Sequence, residues 1–378
     1  MRVSGPWLLA PGTQAALRLL SAAGHQAFVV GGTVRNALLG TEVSDIDIAT
    51  SAHPEAVLDL AARAGLHAVP TGLEHGTVTV VIDGVGYEVT SFRRDVETFG
   101  RHARVQFSDS IHEDAARRDF TMNALYVCAD GTLVDPLGGL PDLRARRVRF
   151  VGTPVHRIRE DYLRILRFFR FHAQYGDPAR PLDAAALAAC AREAQGIESL
   201  SSERIGAEMR KLMAAPDPAP ALDEMARTGV LRHVLPGARP EAVARLTALE
   251  RQTDTPPRAL RRLLAVGGAT DRLCLTRAEQ RALSAAARAP EDATLAHLGY
   301  RLGANGAQDA ALVRASAEGR AVPPDWRAEI DRGAGASCPV RARDFPHLEG
   351  PALGAALRAA EDAWIASDFH APRGELLA

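Results

Sequence analysis

The sequence predicts an α+β protein: a mixed α/β head over residues 1–152, followed by a remainder built from helices alone. Three observations lead there. At 378 residues the chain is longer than one hydrophobic core usually supports. Up to about residue 150, short β-branched runs alternate with amphipathic helical stretches. Beyond about residue 152 the strand signals nearly vanish, and Pro/Gly breaks separate helical patterns at Gly176 to Pro181, Pro216 to Pro220, Pro236 to Pro240 and Pro256-Pro257. A longer irregular stretch is expected from Pro323 to Pro346.

The head reads in order as follows. Thr13 to Ala23 carries an apolar stripe at helical spacing and stops at Gly24. Ala27 to Val30 is a strand, broken by Gly31-Gly32. Val34 to Leu39 is a helix ended by Gly40, Ser44 to Ala49 a second strand, and Pro54 to Ala64 a helix closed by Gly65. Thr77 to Ile82 and Tyr87 to Phe92 read as a hairpin joined through Asp83 to Gly86. Thr121 to Val127 and Thr132 to Val134 complete the unit.

Composition excludes several classes. Hydrophobic residues make up 47% and charged residues 24%, an ordinary globular balance. The net charge of −1 does not advertise a nucleic-acid binder, although a basic groove can sit on a neutral protein. Lys211 is the only lysine, so the cationic charge is arginine. Cys128, Cys190, Cys274 and Cys338 form no CxxC pattern and read as reduced thiols of a cytoplasmic protein. No signal peptide and no membrane span are expected.

The chemistry concentrates around Ser44-Asp45-Ile46-Asp47-Ile48. In a strand, residues i and i+2 share a face, so Asp45 and Asp47 are expected to point together while Ile46 and Ile48 turn to a core. Two carboxylates roughly 6.5–7 Å apart along the backbone can converge on one metal ion or a pair. Oxygen-only ligands suit Mg²⁺, which also takes phosphate oxygens. A lone Asp-x-Asp is more often a strand end bearing solvated aspartates. Here Gly31-Gly32 and Arg35 stand just upstream, where glycine backbone, a helix N-terminus and a guanidinium fork suit a triphosphate.

GGTVRNALLG (Gly31 to Gly40) followed by DIDIAT (Asp45 to Thr50) resembles the catalytic signature of class II tRNA nucleotidyltransferases and bacterial poly(A) polymerases, in the polymerase-β-like superfamily. Four blocks follow in the family order: RRDFTMNAL from Arg117, DPLGGLPDL from Asp135, EDYLRILRFFRF from Glu160 and SSERIGAEM from Ser201. The resemblance covers residues from about 25 to 235 and is loose beyond, although Gly350 to Phe369 is similar to a C-terminal helix of many CCA-adding enzymes. It implies a polymerase-β-like nucleotidyltransferase head (1–152), a helical neck that recognises the base (153–213), and a helical body and tail that bind tRNA (214–378). It departs at Asn36, where the family usually has Asp.

The implied activity is template-independent addition of CCA to the tRNA 3′ end from CTP and ATP, with release of pyrophosphate. The resemblance implies that Asp45 and Asp47 hold Mg²⁺, that Gly32, Arg35 and Arg118 hold the triphosphate, and that Asp161 and Arg164 select the base, with Arg167 and Arg170 adding triphosphate and base contacts. The selection has a physical logic. Cytosine and adenine both present an amino donor beside a ring-nitrogen acceptor, which a carboxylate and a guanidinium match; guanine and uracil present the reverse order. Without that context, Asp161, Arg164, Arg167 and Arg170 at spacing three read as an ion pair and an exposed basic helix face.

Further candidates are Gly31, Glu88, Asp119 and Asn123. Glu88 is either a third carboxylate near the metal or a structural partner for an arginine. Asp119 either faces the nucleotide or caps a helix running through Asn123 to Val127. Arg204 is either a tRNA phosphate contact or part of a capped helix start.

Thr71 to Val78 resembles the CCA-adding branch, and the basic stretch of the poly(A) branch is absent there. The polar connection from Phe92 to Phe107, with Arg93, Arg94, Asp95, Glu97, Arg101, His102 and Arg104, resembles the flexible loop that complete CCA-adding enzymes keep. A partial CC- or A-adding enzyme, a poly(A) polymerase and a non-catalytic RNA-binding protein remain as alternatives. A fused metal phosphohydrolase is not expected, because no histidine is followed by Asp. The expected partners are the tRNA acceptor and TΨC arms with CTP and ATP, and neither membrane nor DNA.

Overall fold

Residues 1–99 and 102–377 are described by a computed structural model. The head is organised by strands β1 (Ala27–Val30), β2 (Asp47–Thr50), β3 (His67–Gly72), β4 (Thr77–Ile82), β5 (Val85–Ser91), β6 (Arg93–Phe99), β7 (His102–Phe107), β8 (Tyr126–Val127) and β9 (Leu133–Val134). Seven of them form one sheet in the order β3-β4-β5-β2-β1-β8-β9. Within it β2 and β5 run parallel and the other neighbours antiparallel, so the sheet is mixed, as expected. The parallel pair arises because the helix Pro54–Arg63 and the β3–β4 strands intervene between β2 and β5.

The sheet core follows the period-two pattern of the sequence. Val29, Ile48, Val78, Val80 and Val89 are buried, and the helix Pro11–Ser21 supplies Ala16, Leu17 and Leu20. The β4–β5 turn is tighter than the expected four-residue connection. Ile82 pairs with Val85, leaving Asp83 and Gly84 with φ of 50° and 78°, the double positive φ of a type I′ turn.

Four local expectations are corrected. The strand expected from Ser44 begins only at Asp47, where pairing to Glu88 starts. The reason is local: Thr33 Oγ1 donates to the Asp45 carbonyl at 2.5 Å, so that carbonyl is engaged outside the sheet ladder. The connection after Phe92 is an antiparallel β6–β7 ribbon whose register shifts between Asp95 and Glu97; its residues 100 and 101, including Arg101, lie outside the described residues. Of the two alternatives left open for Asp119, the capped helix does not form: a short 3₁₀ turn (Thr121–Asn123) leads into β8. Strand β3 was not anticipated. It is a mostly exposed edge strand containing Pro70, so it lacks the alternation that marks the others.

From Pro154 onward the described residues carry helices and no strand. The motif block expected as one helical run from Glu160 is two helices, Pro154–Glu160 and Leu163–Tyr175, because Asp161 adopts an extended backbone (φ −155°, ψ 107°). The stretch after Pro323 includes the helix Trp326–Ala334 where an irregular segment was expected. The chain divides into two compact units. The first takes Met1–Leu212 with Pro220–Val234, so it holds the residues expected as head and neck up to Leu212 together with part of those expected as body; the second takes Met213–Ala219 and the residues from Leu235.

The second unit surrounds a buried charge network. Arg262, 1% exposed, donates to Glu250 at 2.8 and 3.0 Å and to the Met213 carbonyl at 2.7 Å, which ties the 213–219 segment to this unit. Arg261 joins Glu250 to Asp309 at 2.8 and 2.9 Å. Removing one member leaves buried charge uncompensated, and Glu250→Ala is expected to destabilise this unit by about 3–5 kcal/mol. Urea unfolding of the variant, compared with the parent protein, measures the loss, and a change within error would show the network to be dispensable.

Candidate functional site

The site begins where β1 ends. Gly31 has φ 71° and ψ −126°, a conformation that side chains disfavour, and the helix Gly32–Leu39 starts immediately after it. A Cβ at Gly31 would lie 3.4 Å from Arg118 Nη1, so the bare turn allows that guanidinium to sit close. Thr33, on the first turn of the helix, holds the Asp45 backbone through its hydroxyl. Asp45 therefore precedes β2, and Asp47 is its first residue, opposite Glu88 on the parallel neighbour β5.

These carboxylates carry charge that the chain leaves unbalanced. Among the described residues, neither Asp47 nor Glu88 has an ion pair, and the Asp45 carboxylate accepts only from the Ser44 hydroxyl, at 3.1 Å. Burial, then the charges of Glu88 and Asp45, push the Asp47 carboxyl above its ordinary value, while Arg118 opposes them. Of the two roles open to Glu88, this geometry places it beside the acidic pair and gives it no arginine.

The donor set fits a hard divalent cation: oxygen ligands only, at a position where added positive charge relieves repulsion. Among the described residues no three His, Cys, Asp or Glu side chains gather into a metal cage. A Mg²⁺ site that takes one or two carboxylates and completes itself with substrate phosphates does not require one.

Arg118 is the cation at this turn. Asp114, fully buried, accepts from it at 2.9 Å and from Tyr126 at 2.7 Å, and Tyr126 accepts from Arg118 Nε at 3.1 Å. Arg117 takes the other Asp114 oxygen. Arg35 behaves differently from the expected triphosphate fork. It is 7% exposed and turns inward to Asn123 at 2.6 Å, the Tyr175 hydroxyl at 2.9 Å and Asn36. Asn36 accepts that fork and donates to the Glu42 carbonyl, so the amide joins Arg35 to the loop before β2.

The helices after Pro154 add a wall of paired charges. Asp119 accepts from Arg167 Nε at 2.8 Å, from Asn123 and from the Phe120 amide, so it pairs with an arginine. Arg170 meets Glu208 on the helix Ser202–Met213. Asp161 and Arg164 do not pair with each other. Asp161, at the break between helices, accepts from the Leu163 amide and from Arg204 at 2.7 Å. Arg164 pairs with Glu160 and donates to the Arg157 carbonyl at 2.9 Å.

Arg157 reaches back to the carbonyls of Ala116 and Arg118 at 2.6 and 3.0 Å, joining this wall to the arginine beside the acidic strand end. Sequence reading missed Glu160, Glu208, Tyr175 and Asp114 and left Arg204 undecided. The available signal was charge spacing: Glu160 sits three after Arg157 and four before Arg164, and Glu208 four after Arg204.

A glycine turn and an acidic strand end on a mixed sheet, followed by helices lined with arginine, define a protein of the polymerase-β-like nucleotidyltransferase class. The family model described as the poly A polymerase head domain matches residues 27–149, and the one described as a probable RNA and SrmB-binding site of polymerase A matches residues 181–241. The crystal structure of the Bacillus stearothermophilus CCA-adding enzyme in complex with CTP superposes with a TM-score of 0.73 at 30% identity, covering 94% of this chain and 93% of that one. The CCA-adding enzyme of Lacticaseibacillus paracasei is 40% identical over 242 residues, and the human mitochondrial CCA tRNA nucleotidyltransferase 1 is 40% identical over 207. Those matches span 64% and 54% of this chain but 58% and 48% of these curated relatives' own lengths. The chain belongs to the CCA-adding enzyme family.

The site's anchors make acid stability a readout. Asp114 and Asp119 are held down to about 2, against an ordinary 3.8, by Arg118 and Arg117 and by Arg167 respectively, against the opposing effect of burial. A carboxyl lowered on folding stabilises above its unfolded value and loses that contribution as pH falls through the folded one. Asp114→Asn is therefore expected to cost about 2 kcal/mol at pH 7, with the gap to the parent closing between about pH 4 and 2. A gap that stayed constant down to pH 2.5 in urea unfolding would assign the loss to packing instead.

Proposed function

We propose that this chain adds CCA to the 3′ end of tRNA, taking CTP and ATP and releasing pyrophosphate. The observation that carries the reading is the unbalanced Asp45, Asp47 and Glu88 group beside the Gly31 turn and Arg118, in the same compact unit as Asp161 and Arg164. The CTP complex of the similar Bacillus enzyme supports a nucleotide there. So does the structure described as a tRNA nucleotidyltransferase complexed with a primer tRNA and an incoming ATP analog, which is 26% identical with a TM-score of 0.54.

In this mechanism the terminal 3′-hydroxyl attacks the α-phosphate. The new oxygen–phosphorus bond forms as the bond to the departing pyrophosphate breaks. Asp45 and Asp47 would hold Mg²⁺, which would supply charge neutralisation on the transferring phosphoryl group and lower the pKa of the attacking hydroxyl. Arg118, oriented by Asp114 and Tyr126, donates to the triphosphate, together with the amides that open the Gly32–Leu39 helix.

Arg35 braces the site from within through Asn123 and Tyr175. Asp161 accepts from the amino group of C or A, and Arg164 donates to the ring nitrogen. The β6–β7 ribbon accommodates the change from C to A. Residues 153–213 read the base, and residues 214–378 hold the tRNA. The protein acts in the cytoplasm. In support of that location, no helix among the described residues is long and apolar enough to cross a membrane, and all four cysteines are free.

Asp45→Ala and Asp47→Ala are each expected to abolish addition to tRNA ending before CCA, with circular dichroism unchanged. Products sized at single-nucleotide resolution decide it: growth by CCA and arrest supports the reading, CC or A alone marks a partial enzyme, and an unlimited A ladder marks a poly(A) polymerase. Retained addition in either variant would remove the metal assignment.

Arg204→Ala is expected to loosen Asp161. It should raise misincorporation of UMP relative to CMP by about tenfold, the worth of one lost charge-assisted bond, while Arg204→Lys restores part of the selectivity. Unchanged selectivity in Arg204→Ala would place Arg204 outside base reading.

A further inference from the structure

The loop that delivers Asp45 is held from one side of one helix. Residues 41–46 run as an irregular, mostly exposed connection between the helix Gly32–Leu39 and β2. Thr33 and Asn36, three apart on that helix and so on one side of it, supply side chains that tie the loop down. Thr33 Oγ1 donates to the Asp45 carbonyl at 2.5 Å, and Asn36 Nδ2 donates to the Glu42 carbonyl at 2.9 Å. The main-chain carbonyl of Asn36 accepts from the Thr41 amide and hydroxyl at 3.0 and 3.3 Å.

The Asn36 side chain meets opposite demands at its two ends. A guanidinium only donates, and Arg35 Nε and Nη2 reach Asn36 Oδ1 at 3.2 and 2.9 Å. A carbonyl only accepts, and that of Glu42 takes the amide N–H. One orientation of the amide satisfies both neighbours. A carboxylate, the usual family residue here, would satisfy Arg35 with one oxygen and turn a second acceptor onto the Glu42 carbonyl. The orientation is anchored from behind as well, because Asn123 at 2.6 Å and the Tyr175 hydroxyl at 2.9 Å fix Arg35.

We propose that Asn36 is a positioning residue for the acidic end of the site: its amide holds the 41–46 loop so that the Asp45 carboxylate serves the same cation as Asp47. Asn36 acts through Asp45 and not on the substrate. The role rests on Asp45 holding the metal, as proposed above. The competing account is electrostatic, in which Asn36 only trims negative charge near the acidic group. The two accounts predict opposite effects of restoring the carboxylate. Added negative charge draws a cation in more tightly, whereas a displaced loop holds it less well.

The test compares Asn36→Asp and Asn36→Leu with the parent protein through two readouts that need no turnover. Digestion by a glutamate-specific protease is followed by mass at the Glu42–Val43 bond. Uptake of Mn²⁺ with CTP present and tRNA absent is followed by electron paramagnetic resonance. Both variants are expected to be cut about tenfold faster at Glu42, the worth of one lost hydrogen bond in a local opening. Both are expected to bind Mn²⁺ about tenfold more weakly. The urea midpoint of Asn36→Asp should not fall, since Arg35 gains a carboxylate partner.

Parental cleavage and Mn²⁺ affinity in both variants overturn the role. Faster cleavage with parental Mn²⁺ affinity also overturns it, because the loop would then be loosened without moving Asp45. Tighter Mn²⁺ in Asn36→Asp assigns the position to charge alone. Cleavage accelerated equally at other glutamates, with a lower urea midpoint, assigns the change to global unfolding and overturns the role too. A parent protein that takes up no Mn²⁺ with CTP fails in a different way: it removes the metal assignment of Asp45 itself, and this role with it, whatever the cleavage rates.

Discussion

Repulsion among Asp45, Asp47 and Glu88 sets the terms for everything around them. The parallel pairing of β2 with β5 places Asp47 and Glu88 at one register position, and the partial burial of Asp47 weakens the screening of its own charge, while Asp45 and Glu88 are exposed. Folded domains rarely keep such an arrangement without a cation, and groups whose ionisation is disturbed by burial and by a named neighbour concentrate at functional sites. Among the described residues, the cation that opposes this repulsion at Asp47 is Arg118. The Gly31 turn lets it approach because no side chain stands between. That guanidinium is committed to Asp114 and Tyr126, so it moderates the acidic group without cancelling it.

The arginines behind the site follow the opposite rule. Asp119 holds Arg167, Glu208 holds Arg170, and Glu160 holds both Arg157 and Arg164. Unpaired, these half-buried cations would be costly and would have no fixed direction. The pairing also gives the wall its geometry. Glu208 and Arg204, one turn apart on the same helix, contact an arginine and an aspartate respectively, so a single element sets the direction of groups of both signs. The Asp161 break matters here: a residue in the middle of a helix would point along the helix face, whereas its extended backbone lets the carboxylate reach Arg204.

Much of this was legible in the residues themselves. The two-part architecture was visible because period-two alternation stops after Val134 and helical spacing takes over. The strand Ala27–Val30, the helix closed by Gly40 and the β4–β5 hairpin were readable because each carries its own local signals, β-branched runs and glycines at required turns. Asp45 and Asp47 were singled out from their spacing and Arg118 from the family resemblance of its block, and the structure places the charges of Arg118 and Asp45 where they act on Asp47.

Tertiary contacts decided the rest. Whether Asp45 sits in a strand depends on a hydroxyl twelve residues earlier, which the period of the segment does not encode. The inward turn of Arg35 is set by Asn123 and Tyr175, 88 and 140 residues away. The partners of Asp161 and Arg164 could not be read from their spacing of three, because the helix they seemed to share is broken between them and each is taken by another group. Local sequence determines which residues can form an element, whereas the direction and partner of a charged side chain follow from which elements pack against it, since burial raises the cost of leaving it alone.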